Sequence, residues 1–159
     1  MDARAKIVAT GGSGRPGSSV GRAVAGFGPR TVQARVATVE DRCWQCRAKV
    51  RGIVGVIVPA GAGTRFLSFD EVGAQLAEVA DRRALAARRI GALRHRESPG
   101  VEGGYLSNGC IECDALIGRF RLEDLLHEHV AGGGTYAQLD IGLPVPLEIG
   151  QPGRLHALA

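Results

Sequence analysis

The chain has 159 residues and a formal net charge of +4 at pH 7, and 45% of its residues are hydrophobic. This length predicts one compact domain with a sizeable core. No apolar run approaches the roughly 20 residues that span a bilayer, and the first residues lack the apolar segment of a secretory signal. We therefore expect no membrane insertion and predict a cytoplasmic protein, in which paired cysteines more often bind metal than form disulfides.

Residues 1–33 are rich in glycine, serine and arginine, a composition that buries too little apolar surface to offset the entropy of ordering. We predict a flexible basic tail here. Gly12, Gly14 and Gly17 also match the spacing of a dinucleotide-binding turn, with Glu40 downstream as the candidate ribose ligand. Because the preceding apolar segment is short and no series of strand–helix units follows, the tail is the preferred interpretation.

Short β-branched segments surround the first cysteine pair. Residues 36–39 lead towards Cys43 and Cys46, and an apolar run over 50–58 follows the pair and ends at Pro59. Two strands that flank a C-x-x-C turn form a zinc-knuckle hairpin. We refer to residues 43–46 as the first knuckle.

A helical insertion is predicted over 69–97. Ser68 and Glu71 have the spacing of a capping box, and apolar residues follow at helical intervals. A second helical segment is expected to begin near Asp81. The Ser-Pro-Gly sequence that starts at Ser98 ends the insertion, because proline cannot continue a helix.

The second knuckle, residues 110–113, contains Cys110 and Cys113. Apolar residues before it and over 115–120 after it predict a second hairpin. All cysteines of the chain therefore lie in one of two C-x-x-C units.

The C-terminal third contains three further predicted segments. Leucines and a valine between 122 and 130 predict a short helix, which a run of glycines ends. A last strand is predicted over 136–141. The proline-containing stretch over 143–159 is predicted to be a flexible tail.

The four cysteines predict a metal site. Two residues between ligands let one tight turn present both sulfurs to a single ion, so we predict one zinc ion bound by Cys43, Cys46, Cys110 and Cys113. Four thiolates close the coordination shell, which indicates a structural ion.

An iron–sulfur cluster uses the same ligands and stays an alternative. A thioredoxin-like dithiol is disfavoured, because a strand and not a helix is predicted after Cys46. Trp44, between the first two ligands, is expected to cover the metal as a hydrophobic lid.

The densest positive stretch of the sequence lies in the predicted insertion. Together with an isoelectric point near 9.2, it favours attraction to phosphate and hence to nucleic acid. The alternative is a solvated helix and loop, because these side chains form no continuous basic face and few aromatic residues for base stacking lie nearby. The six candidate nucleic-acid contacts are Arg82, Arg83, Arg88, Arg89, Arg94 and Arg96.

The second knuckle and its neighbours resemble a pattern from small bacterial zinc-ribbon-like proteins of unassigned function. In that pattern a tyrosine, an asparagine, the C-x-x-C unit, Ala-Leu, a glycine and an aromatic residue follow in order, and the first knuckle is similar to theirs as well. The resemblance implies metal binding by the four cysteines and implies no activity. The matching positions are Tyr105, Asn108, Cys110, Cys113, Ala115, Leu116, Gly118 and Phe120.

The predicted fold is an α+β domain over 34–142, with zinc-ribbon-like β-hairpins and the helical insertion between the two knuckles. The predicted function is a zinc-binding adaptor or nucleic-acid-binding module. Two alternatives stay open: a protein–protein interaction module that does not bind nucleic acid, and a hydrolase or nuclease-related enzyme that uses an acid such as Asp124 or Glu128. The enzyme ranks lower because the sequence contains no recognisable catalytic constellation.

Overall fold

The computed structural model describes residues 30–150 and contains both helices and antiparallel strands, which confirms the α+β class. Residues 1–29 of the predicted N-terminal tail, which include the dinucleotide-type glycines, lie outside this range, whereas residues 30–33 of that predicted tail belong to a strand. In the described range the strands are β1 (Arg30–Arg42), β2 (Lys49–Ala60), β3 (Gly63–Ser68), β4 (Leu93–Ser98), β5 (Val101–Asn108) and β6 (Asp140–Ile149). The helices are α1 (Phe69–Val79), α2 (Arg82–Ala86) and α3 (Arg119–Ala131), and a 3-10 turn covers Tyr136–Leu139.

The main sheet has four antiparallel strands in the order β3-β2-β1-β6. Strand β2 lies inside the sheet, and its apolar run is buried on both faces from Ile53 to Val58. This explains why the run shows no alternation of apolar and polar residues. The turn between β1 and β2 contains the first knuckle, so the predicted hairpin around this C-x-x-C unit is present.

The two faces of this sheet carry two separate hydrophobic clusters. Val36 and Val56 belong to the first cluster, which includes the buried side of α1 and α2, whereas their chain neighbours Ala37 and Ile57 belong to the second. Consecutive side chains of a strand point to opposite faces, so the clusters lie on opposite sides of the sheet. The second cluster contains Leu122 of α3 together with Cys43 and Cys110. The cysteines are therefore part of the core of one face.

The predicted helical insertion over 69–97 is only half correct. The capping box is present, since the carboxylate of Glu71 accepts a hydrogen bond from the backbone amide of Ser68 at 2.7 Å. Helical structure, however, ends with α2, and residues 93–98 form strand β4, which pairs with β5 in a two-stranded sheet. The strand forms because β5, which follows after a short turn, pairs with it as an antiparallel hairpin, and this pairing outweighs local helical spacing.

The chain after residue 119 also differs from expectation. Helix α3 is present as predicted, but it starts shortly after the second knuckle, which is followed by a single bridge between Gly109 and Leu116 in place of a hairpin. The predicted strand over 136–141 is mostly a 3-10 turn, and β6 extends through the predicted tail to Ile149.

Strand β6 accommodates its prolines because it lies at the edge of the sheet. Pro144 and Pro146 occupy alternate positions of the strand and are exposed, while Leu143, Val145 and Leu147 between and beside them are buried. An edge strand needs backbone donors at only every second residue, so alternate prolines leave the pairing with β1 intact. No helix in the described range is long and apolar enough to cross a membrane.

The connection between α2 and β4 passes very close to the second knuckle. A Cβ atom placed on Gly91 would lie 2.0 Å from the carbonyl oxygen of Gly109, a distance that no side chain can tolerate. A residue without a side chain is thus required where these two backbones meet.

We predict that Gly91→Ala lowers the free energy of unfolding by roughly 1–3 kcal/mol, because the backbone of the second knuckle must move away. Gly100→Ala is the matched control, since a Cβ there meets no atom within 4 Å. Urea unfolding of both variants, followed by circular dichroism, measures the difference. Equal stability of the two variants would contradict the close approach.

Candidate metal centre

The first knuckle is a compact hydrogen-bonded turn between β1 and β2. The amide of Cys43 donates to the carbonyl of Ala48 at 2.9 Å, and the amide of Arg47 donates to the carbonyl of Cys43 at 2.9 Å. Arg47 adopts a φ of 63°, in the left-handed region. This conformation reverses the chain directly after Cys46 and brings the two sulfurs to the same side of the turn.

The second knuckle repeats this hydrogen-bond pattern. The amide of Cys110 donates to the carbonyl of Ala115 at 2.8 Å, the amide of Asp114 donates to the carbonyl of Cys110 at 2.9 Å, and Asp114 has a φ of 59°. Both knuckles therefore place a non-glycine residue in the left-handed region immediately after their second cysteine. The C-x-x-C spacing predicts the turn; aspartate is among the residues that tolerate this φ, whereas arginine gives no signal of it.

The two knuckles meet, and the four sulfur atoms all lie within 4.8 Å of one another. The Sγ atoms of Cys43 and Cys113 are 3.6 Å apart, as are those of Cys46 and Cys110. A zinc–sulfur bond of about 2.3 Å in a tetrahedron implies sulfur separations of about 3.8 Å. The donor set and its spacing thus fit one four-coordinate ion such as zinc, with the closest pairs formed across the knuckles.

The thiols differ in acidity. Burial raises the pKa of Cys43, but backbone amides of Cys46 and Gln45 and the neighbouring thiols stabilise its thiolate and bring the pKa down to about 7. For Cys46, the amide of Ala48 lowers the pKa, yet burial and the three neighbouring sulfurs raise it to about 12. One thiolate therefore forms readily near neutral pH, and a cation is needed to hold several together, since thiolates repel one another.

Trp44 does not close over the metal site as a lid. Its side chain is 68% exposed, and its indole N–H donates to the carbonyl of Leu116 at 3.0 Å. The residue thus ties the first knuckle to the segment after the second knuckle while most of the ring faces solvent. This hydrogen bond adds a direct link between the knuckles that does not depend on metal.

An ion pair between a buried arginine and a half-exposed aspartate supports the second knuckle. The side chain of Arg96 is 7% exposed and donates to the carboxylate of Asp114 at 2.7 Å and to the carbonyl oxygens of Asp114 and Ala92 at 3.1 Å. Arg94 forms a second ion pair with the same carboxylate. Burial and the charge of Arg94 lower the pKa of Arg96, but an arginine stays charged. Strand β4 is thereby anchored to the residue that sets the knuckle's turn.

Four of the six arginines predicted to contact nucleic acid form internal contacts. Arg94 and Arg96 bind Asp114, and Arg89 binds Glu112 at 3.0 Å and the carbonyl of Lys49 at 3.3 Å. Arg88 donates to the carbonyl of Ile141 at 3.3 Å. Arg82 and Arg83 are exposed on α2. The six side chains therefore do not share one helix face, because the segment that carries them contains a helix, a loop and a strand.

The candidate catalytic acids lie apart from the cysteines, on α3. Asp124 is exposed, and Glu128 lines an open groove together with His129 and Asp140. Within residues 30–150, the four cysteines are the only group of three or more histidine, cysteine or acidic side chains arranged to hold a metal ion. Among the described residues these acids form no recognisable catalytic constellation. The enzyme hypothesis therefore stays a prediction.

Comparisons with known proteins identify no relative of this chain. No protein-family model matches the chain, and no curated protein or solved structure is significantly similar to it. The resemblance of the second knuckle to bacterial zinc-ribbon-like proteins consequently stays a prediction, and the site is interpreted from its geometry alone.

We predict that Cys113→Ser abolishes stoichiometric zinc binding and lowers the free energy of unfolding by more than about 4 kcal/mol, because the metal links segments far apart in sequence. Gln45→Ser, at an exposed position between two ligands, is the control and should keep both properties. Zinc content by elemental analysis and thermal melting are measured on the same samples. A metal-free Cys113→Ser protein that melts like the parent would contradict a shared site.

We also predict that Asp114→Asn lowers the free energy of unfolding by roughly 1–3 kcal/mol, because the buried guanidinium of Arg96 loses its counter-charge. Asparagine tolerates the left-handed conformation of this position, so the change tests charge and not backbone strain. Glu112→Gln removes an exposed ion pair two residues away and should cost less than about 1 kcal/mol. Denaturant unfolding of both zinc-loaded variants gives the comparison.

Proposed function

We propose that the chain binds one structural zinc ion through Cys43, Cys46, Cys110 and Cys113 and that this ion holds together a small binding module. The convergence of four sulfurs within 4.8 Å is the observation that supports the proposal. Four thiolate ligands leave no open position for water or substrate, so the ion stabilises the fold and does not activate a nucleophile.

The nature of the metal is tested by spectrometry. Native mass spectrometry of the purified chain should give a mass increment of one zinc ion that disappears on denaturation in acid, since protonated thiols release the metal. An iron–sulfur cluster would instead give a coloured protein with inorganic sulfide. A colourless protein that carries one zinc supports the proposal, whereas bound iron and sulfide would replace it with the cluster.

We infer that the module's partner is a protein, and the charge distribution of the folded part supports this inference. The chain has 20 Lys/Arg and 16 Asp/Glu residues. Five of the basic residues and one of the acidic residues lie outside residues 30–150, so fifteen basic and fifteen acidic residues lie within that range. Because the folded part carries no net charge, it lacks the general attraction to phosphate that non-specific nucleic-acid binding needs.

Two exposed aromatic side chains near the knuckles support a protein partner further. Trp44 in the first knuckle is 68% exposed, and Phe120 in the first turn of α3 is 66% exposed. Burying aromatic rings of this size contributes much of the affinity at protein interfaces.

Site-specific photo-crosslinking in the native host tests this inference. A photoreactive phenylalanine analogue replaces Phe120, and the same analogue at Ala77, an exposed position on α1, is the control. We expect one discrete protein adduct from position 120 that is absent at position 77. Adducts of equal intensity at both positions would indicate random collisions and contradict a specific surface.

Nucleic-acid binding is a second candidate, because the net positive charge of the sequence comes entirely from residues outside 30–150. Arg4, Lys6, Arg15 and Arg22 precede residue 30, and only one acidic residue, Asp2, accompanies them. Such a segment could bind phosphates independently of the zinc-bound module.

If this candidate is correct, replacing those four positive residues with glutamine should make the salt dependence of DNA binding shallower. The slope should change by roughly 0.9 for each phosphate that the chain no longer neutralises, because fewer counterions are released. Changing Arg82 and Arg83 to glutamine is the matched comparison on the folded part. Fluorescence anisotropy with a labelled duplex at several salt concentrations measures both. Absence of binding by the unmodified chain at low salt would eliminate the candidate.

A further inference from the structure

An open groove lies between the β1–β2 hairpin and the residues that follow helix α2. Its volume is about 360 Å³. Lys49 and Arg51 of β2 line it from one side, and Arg88 and Arg89 line it from the other. Lys49 and Arg51 point to the same face of the sheet as Ile53, which belongs to the first hydrophobic cluster. The groove is therefore on the face that α1 and α2 cover, beyond the end of α2.

Positive charge is concentrated in this groove, although the folded part as a whole is neutral. Four of the lining side chains are basic, and the carboxylate of Glu40 is the one acidic group that lines it. Glu112, which does not line the groove, reaches Arg89 at 3.0 Å. Lys49 and Arg88 have no carboxylate partner among the described residues. The groove thus keeps a local surplus of positive charge.

Two like charges face each other beside the groove. Arg42 at the end of β1 and Lys49 at the start of β2 are directly paired positions of the antiparallel sheet, and both are exposed. Like charges at such positions repel each other and destabilise the pairing. A departure from the locally stable choice is expected at functional sites, so this pair indicates that positive charge is needed here.

Glu40 shows how the groove holds a carboxylate. Its Oε1 atom accepts hydrogen bonds from Nε and Nη2 of Arg51 at 3.2 and 2.8 Å. These bonds and the charge of Arg51, and to a smaller extent the charge of Lys49, lower the pKa of Glu40. Side-chain bonds to the described residues use only Nη2 of Arg89 and leave Nη1 of Arg51 unused. Donors for further carboxylates are therefore present.

A peptide suits this groove better than nucleic acid. The carboxylate of Glu40 would repel a continuous row of phosphates, whereas a peptide can place a neutral residue next to it. None of the described residues that line the groove is aromatic, so bases would find no stacking surface.

We propose that this groove binds an acidic segment of a protein, whose aspartate or glutamate side chains accept hydrogen bonds from Lys49, Arg51 and Arg89. The inference rests on the proposed function, in which the partner of the module is a protein, and it adds the chemistry that the partner presents. Complementary charges of this kind orient two partners and exclude others of the wrong charge.

The test measures binding of fluorescein-labelled hexaglutamate to the full-length chain by fluorescence anisotropy at low ionic strength, where exposed charges are least screened. Lys49→Glu should weaken binding at least about tenfold, because an attraction becomes a repulsion. Arg82→Glu makes the same change of net charge at an exposed position on α2 that does not line the groove. It should weaken binding less than about threefold. Residues 1–29 are the same in both variants, so their charge affects both equally.

The melting temperature separates loss of binding from loss of folding. Lys49→Glu replaces the like-charge pair with an opposite-charge pair to Arg42, so the variant should melt at the same or a higher temperature. Lys49→Gln removes the charge without reversing it and should weaken hexaglutamate binding about threefold.

Three results would overturn the proposal. The first is the absence of hexaglutamate binding by the unmodified chain at low ionic strength. The second is equal weakening by Lys49→Glu and Arg82→Glu, which would show that only net charge matters. The third is a labelled DNA duplex that binds more tightly than hexaglutamate and is weakened by Lys49→Glu alone, which would assign the groove to nucleic acid. The first two results, together with a discrete protein adduct from position 120, would remove this groove and leave the protein partner in place.

Discussion

The convergence of two cysteine pairs on one small volume is the constraint on which the rest of this structure depends. Cys46 and Cys110 are separated by 64 positions in the sequence, yet their sulfurs are 3.6 Å apart. To bring them together, the chain between the knuckles must leave the main sheet and return to it. After strands β2 and β3 of the main sheet, helices α1 and α2 and the β4–β5 hairpin form this excursion, and the buried side of the two helices packs on the face of the sheet opposite to the cysteines.

The metal site is therefore continuous with the hydrophobic core. Cys43 and Cys110 are 2% and 1% exposed and belong to the same cluster as Val39, Ile57 and Leu122. Without a cation, neighbouring thiolates would repel one another, and Cys46, whose pKa is raised to about 12, would stay protonated. Two contacts that involve no metal also hold the second knuckle in place. Arg96 of β4 binds Asp114, and the indole of Trp44 in the first knuckle donates to the carbonyl of Leu116. An ion held by these four cysteines, as proposed above, would therefore be coupled energetically to the packing of this face.

The same architecture changes the meaning of the basic residues. A stretch that is dense in arginine suggests a phosphate-binding surface, but in the folded chain Arg88, Arg89 and Arg96 hold loop and strand backbones in place. Arginine suits this task because its guanidinium group donates several hydrogen bonds in fixed directions. Arg89 and Arg96 are also paired with the carboxylates of Glu112 and Asp114, and residues 30–150 contain equal numbers of basic and acidic residues.

What the sequence by itself determined is local in character. The C-x-x-C spacing predicted both turns, the capping box predicted the start of α1 at Phe69, and the β-branched run predicted β2, because each depends on residues close together in the chain. Tertiary structure alone decided that residues 93–98 form a strand, that β6 extends beyond residue 143, and that Asn108 is buried with a free donor. Strand β6 and the orientation of Asn108 depend on partners far away in sequence, β1 and the amide of Ile53, whereas β4 depends on pairing with the next strand, β5. Local helical or apolar spacing does not encode such partners, since the free energy of pairing is available only where the two segments meet.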